Sequence, residues 1–131
     1  VSISKFVTPG TTTITLPDGD WIVVKNYLTV GEIREAARKI NGEGPNGERI
    51  PKATAGYAQT DAYLLDWSLM RDGKTVPIDT DARRRSALDA MHGAAYLEIE
   101  QAINRHIDQM AAELEDAKKK TQDGPTNSKA T

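Results

Sequence analysis

Apolar positions recur at a period of two near the start of the chain and at spacings of three and four further on, so the sequence predicts a hairpin followed by helices. Thr12-Thr13-Ile14-Thr15-Leu16 alternates β-branched or apolar residues, and Trp21-Ile22-Val23-Val24-Lys25 is a second run that favours strand. Pro17-Asp18-Gly19-Asp20 between them supplies the turn: Pro17 presets φ, Asp18 can accept from its own backbone, and Gly19 tolerates the left-handed region. Ile22 and Val24 share one face of the second strand and Trp21 and Val23 the other, so both faces need a cover, from helices or from another subunit.

Helical signals follow at once. Thr29-Val30-Gly31-Glu32 has capping-box spacing, with Leu28 and Ile33 placed for a hydrophobic staple. Ile33, Ala36, Ala37 and Ile40 continue the helical spacing as far as the stop at Asn41-Gly42. Residues 42–52 hold three Gly, two Pro, an Asn and two Glu, a composition that predicts a mobile loop. A second helix is expected from about Ala53 to Leu69, apolar around most of its circumference through Tyr57, Ala58, Ala62, Tyr63, Leu64, Leu65, Trp67 and Leu69. Asp72-Gly73 marks a turn and Val76-Pro77-Ile78 a short extended piece. Asp79, Thr80 and Asp81 offer caps for a third helix reaching about His92. Beyond a break at Gly93, a long helix over about 94–120 carries Tyr96, Ile99, Ile103, Ile107, Met110, Leu114 and Ala117. Glu115 to Lys119 and Asp116 to Lys120 are (i, i+4) pairs near its end. Residues 121–131 read as a disordered tail.

The expectation is therefore an α+β fold in a single domain over 1–120: an N-terminal antiparallel β-hairpin and three or four helices, mainly helical, with a long C-terminal helix. Ile14, Leu16, Ile22, Val24, Leu28, Ile33, Ile40, Leu64, Leu65, Leu88 and Met91 are the expected core, with Trp67 as anchor because its indole is large and its N–H needs a partner. A helix of that length reaches about 40 Å, longer than so small a domain is wide. The stripe Ile99, Ile103, Ile107, Met110 and Leu114 is accordingly expected to contact another chain, either a second copy or a partner helix.

Composition narrows the chemistry. Seventeen Lys and Arg against nineteen Asp and Glu give a formal charge of -2, which offers no general attraction to nucleic acid or anionic membrane. Cysteine is absent, so thiol chemistry, disulfides and thiolate metal sites are excluded. No apolar run has the length of a spanning helix, and a soluble intracellular protein is expected. His92 and His106 would lie about 21 Å apart on a continuous helix, too far to share a metal, and are expected to be exposed or half-buried. Asp79 and Asp81 lack the rest of a calcium loop, with Arg83 at the next ligand position. Asp18 and Asp20 are accounted for by the turn, and the serines lack a nucleophile elbow. Arg83-Arg84-Arg85 is the densest cationic run, but its members spread around a helix. No catalytic residue, cofactor or metal is expected, and the reading is a mainly helical interaction module with apolar surface to cover.

Three segments together resemble the tail assembly chaperones of long-tailed bacteriophages and prophages: the hairpin Thr13 to Lys25, the helix entry Leu28-Thr29-Val30-Gly31-Glu32, and Tyr63-Leu64-Leu65-Asp66-Trp67-Ser68-Leu69 followed by Arg71-Asp72-Gly73-Lys74 and Val76-Pro77-Ile78. The resemblance covers roughly Ile14 to Leu88. The glycine-rich insertion 42–52 and the long C-terminal helix depart from it. It implies a non-enzymatic protein of the infected host's cytoplasm that coats the helical tape-measure protein, helps recruit the major tail protein and is generally absent from the finished particle. Trp67, Ile99, Ile103, Ile107, Met110 and Leu114 are then the expected partner-binding residues, with no nucleic acid or membrane partner and a possible homo-oligomer. A structural virion protein of the tail or head-to-tail junction is the first alternative; a small DNA-binding regulator using Arg83 to Arg85 is the second.

Overall fold

In the computed structural model, which describes residues 5–120, strands β1 (Thr11–Thr15) and β2 (Trp21–Lys25) form the expected antiparallel hairpin, with Ile14 opposite Ile22 and Thr13 opposite Val23. Its turn closes as the residue types dictate. Leu16 donates to the Asp20 carbonyl at 2.7 Å, the Asp20 N–H donates to Asp18 Oδ1 at 3.1 Å, and Gly19 sits at φ 95°.

Thr29 caps α1 (Val30–Ile40) with both halves of the capping box in place: the Glu32 N–H donates to the Thr29 hydroxyl and the Thr29 N–H to the Glu32 carboxylate. Asn41-Gly42 ends this helix as expected. Glu43 N–H donates to the Arg38 carbonyl at 2.8 Å and Gly42 N–H to the Lys39 carbonyl at 3.1 Å, the paired bonds of a Schellman stop, with Gly42 at φ 75°. The segment that follows carries backbone bonds of its own, including a bridge between Glu43 and Arg49 and a bond from Gly44 to the Glu48 carbonyl at 2.8 Å.

The helix expected over 53–69 is two elements. Capped by Thr54, α2 (Ala55–Tyr63) stops at Tyr63, and Leu64–Trp67 continues as strand β3, antiparallel to β2, so the sheet has three strands in the order β1-β2-β3. Trp67 lies opposite Ile22, Asp66 opposite Val23 and Leu64 opposite Val24, leaving Leu65 as the extra residue of a bulge. Two short strands, β4 (Met70–Arg71) and β5 (Lys74–Thr75), flank the Asp72-Gly73 turn. Capped by Thr80, α3 (Asp81–Asp89) ends short of the expected His92, and α4 (Gly93–Ala130, described to Lys120) begins at the expected break. The tail expected over 121–131 lies outside the described residues.

One apolar core joins the sheet to α3 and α4. Ile22, Val24, Leu64 and Trp67 line the sheet side, and Leu88, Ile99, Ala102 and Ile103 cover it, with Leu16 and Ile78 at its margins. The Trp67 indole N–H donates to the Val76 carbonyl at 2.9 Å, the partner that burial requires. Leu16, Ile22, Val24, Leu64 and Leu88 are buried as expected, and Ile14, Leu28 and Met91 are half-buried against them. Ile33, Ile40 and Leu65 are not core residues; they are 53%, 38% and 37% exposed. Leu65 is turned out by the bulge, and the two isoleucines by the way α1 is seated.

Candidate partner-binding surface

The seating of α1 starts from a buried charge. Asp61, on α2, is 1% exposed, and its carboxylate accepts from Lys39 Nζ at 2.6 Å and from Arg84 Nε at 2.7 Å. Arg84 also reaches Asp81 at 2.6 Å, so one guanidinium ties α3 to α2 while Lys39 ties α1 to the same carboxylate. Burial works against the Arg84 cation, but the hydrogen bonds and charges of Asp61 and Asp81 outweigh it and raise its pKa. At the other end of α1, Lys25 from β2 pairs with Glu32. Burial raises the Glu32 pKa, whereas hydrogen bonds from Lys25 and Thr29 and the Lys25 charge lower it, and the net shift is downward.

Ionic ties of this kind require the polar side of α1 to face inward. Glu32, Glu35, Ala36 and Lys39 line a concavity of about 210 Å³ together with Asp61 and Arg84. The apolar residues of the helix, Val30, Ile33, Ala37 and Ile40, are all exposed, Val30 to 72%, and no residue of α1 is buried. Their spacing of three, four and three places them in one stripe along the helix. Leu28, just before the cap, is half-buried on the core, while Ile33, its expected staple partner, faces solvent.

The expected partner-binding stripe on α4 divides differently. Ile99 and Ile103 are 0% and 1% exposed in the core, and Trp67 is 2% exposed, so these three side chains are held inside the domain. Ile107 packs against the core from its edge, half-buried. Met110 and Leu114 are half-buried further along: the Met110 carbonyl accepts from the Tyr27 hydroxyl at 3.2 Å, and Leu114 borders an apolar concavity of about 450 Å³ with Phe6, Val7, Tyr27 and Leu28. Of the six expected residues, only these last three reach the surface. Among the described residues, an exposed apolar helix face runs along α1, and its signal was in the sequence: Val30, Ile33, Ala37 and Ile40 recur at helical spacing.

The remaining candidates resolve into structural roles. His106 is buried, contrary to the expected exposed or half-buried position, and its Nε2 donates to the Lys25 carbonyl at 3.0 Å, which satisfies the last acceptor of β2. His92 is exposed, and its Nδ1 accepts from the Ala94 N–H at 3.3 Å at the start of α4. Asp20 accepts from Ser68 Oγ at 2.9 Å and fastens the hairpin turn to the end of β3. The three arginines point to separate tasks: Arg83 to Asp79, Arg84 to Asp61 and Asp81, and Arg85 to the rim of a groove with Asp89 and Tyr57. They form no common basic face. Among the described residues, no group of three or more His, Asp or Glu is placed to hold a metal ion, and no helix is long and apolar enough to cross a membrane. Comparison with known proteins gives no matching family model, curated protein or solved structure.

Proposed function

We propose that the chain is a non-enzymatic tail assembly chaperone of a long-tailed bacteriophage or prophage, which covers an apolar stripe of the tape-measure protein in the host cytoplasm and assists recruitment of the major tail protein. The observation that carries this reading is the outward apolar face of α1 on a domain whose core is already closed without it. A protein that holds an extended helix soluble needs apolar surface that folding leaves uncovered. The hairpin, the capped helix entry and the Tyr63 to Ile78 segment that carry the family resemblance fold around that core, with Tyr63, Leu64, Trp67 and Ile78 buried in it. Paired arginines at 83 and 84 weigh against the DNA-binding alternative, since each would have to exchange a carboxylate for a phosphate.

Particle composition separates the chaperone from a structural virion protein. Quantitative mass spectrometry should find the chain abundant in infected cells and depleted from purified particles. A fixed stoichiometry in the particles, comparable to that of tail subunits, overturns the chaperone reading in favour of the structural one.

A further inference from the structure

The outward face of α1 has a charge pattern as well as an apolar one. The helix holds two acids, and both are engaged: Glu32 with Lys25 and Glu35 with Arg38. Lys39 is committed to Asp61. Arg34 is exposed and in no ion pair among the described residues, and it lies directly beside the Val30, Ile33, Ala37, Ile40 stripe. Taking Val30 and Ala37 as a positions and Ile33 and Ile40 as d positions, Arg34 is at e, where a neighbouring helix presents its own flanking residues. Ala36 occupies g, so that flank is small and uncharged.

We propose that this face is the docking site for an amphipathic α-helix of another protein whose apolar stripe is flanked by Glu or Asp. A second copy of the chain fits poorly. Antiparallel pairing of two α1 stripes brings Arg34 against Arg34, and parallel pairing sets Arg34 against the uncharged Thr29; an acidic flank supplies the missing counter-charge. The small side chain of Ala37, within the stripe itself, allows a close approach. The contact is short, since eleven residues of helix extend only about 16 Å, so it suits reversible capture. This inference rests on the chaperone reading for the existence of a helical partner, and adds the face and the chemistry of what binds there.

The test titrates the isotopically labelled full chain with two synthetic helical peptides of equal length, both with Leu at a and d, one with Glu and one with Lys at every e and g. The Glu peptide should shift the amide signals of residues 30–40 and bind about fivefold or more tightly than the Lys peptide. Ile33→Asp should weaken the Glu peptide at least about tenfold, and Arg34→Glu should reverse the order of the two peptides. Arg34 is exposed, so the reversal can be read even if Ile33→Asp impairs folding. Equal affinity for both peptides, shifts centred on Met110 and Leu114, no shift up to about 1 mM peptide, or dimerisation of the free chain through α1 each overturns the proposal. The two readings fail separately: retention of tape-measure solubility by the Arg34→Glu, Ile33→Asp double variant removes this face but leaves the chaperone reading standing.

Discussion

Replacing Asp61 with Ala should destabilise the fold by about 3 to 4 kcal/mol. The carboxylate is fully buried and its two cationic partners, Lys39 and Arg84, are only 19% and 13% exposed, so removal leaves two largely desolvated charges without their counter-ion. Breaking a buried pair from one side typically costs about 3 to 5 kcal/mol. Two features place the cost toward the low end: Arg84 keeps Asp81, and the terminal ammonium of Lys39 can swing into the open concavity beside it. For a domain of this size the loss corresponds to roughly 10 to 15 °C in Tm. Urea unfolding of wild type and variant, with the slopes compared to confirm a common mechanism, measures it directly. The triple variant Asp61→Leu, Lys39→Met, Arg84→Met should recover most of the loss, because it removes the stranded charges as well as the pair. An Asp61→Ala variant within about 1 kcal/mol of wild type would refute the reasoning and show that water replaces the carboxylate at little cost.

Four further outcomes follow from other parts of the fold. Trp67→Ala should cost about 3 to 5 kcal/mol by equilibrium unfolding, from the cavity and from the Val76 carbonyl left unpaired; an unchanged Tm would remove it from the core. Gly42→Ala should destabilise by more than about 1 kcal/mol, since Gly42 sits at φ 75° and an added Cβ would meet the Ile50 carbonyl oxygen at 2.9 Å; chemical denaturation reads it. The Glu32 carboxyl is held below its usual 4.5, so its contribution to stability is present above that pH and is lost as pH falls through the lowered value; Glu32→Gln should flatten this part of the acid limb in a pH series of Tm. In the same series, the Tyr96 hydroxyl is pushed up to about 12 by burial and the nearby Glu100, against the Thr60 hydroxyl. The neutral phenol therefore stabilises the fold below pH 10, and that contribution is lost as pH rises from 10 through about 12.

What the sequence disclosed and what it hid have physical reasons. Turn and cap chemistry is local, so Asp18-Gly19, the Thr29 to Glu32 box, Asn41-Gly42 and Thr80 are all legible from neighbouring residues. Leu64 to Trp67 misled because a bulge in β3 gives buried, exposed, exposed, buried, a spacing of three that a helix also produces. The α1 stripe was legible, but its direction was not: amphipathic pattern says that a helix has two faces, and which of them points inward depends on Asp61, whose partners are 22 and 23 residues away in the chain. A lone Asp between Thr60 and Ala62 carries no local sign of that role. On α4, periodicity located the apolar stripe but could not divide Ile99 and Ile103 in the core from Met110 and Leu114 at the surface, because that division depends on which turns of the helix lie over the core cluster, a tertiary fact the spacing does not carry.

Co-expression with a candidate tape-measure protein from the same genome tests the central claim most directly, with the fraction of that protein in the soluble lysate as the readout. The account predicts that the tape-measure protein is insoluble alone, becomes soluble with this chain and co-purifies with it. A tape-measure protein that stays insoluble in its presence, or that is equally soluble without it, would contradict the account.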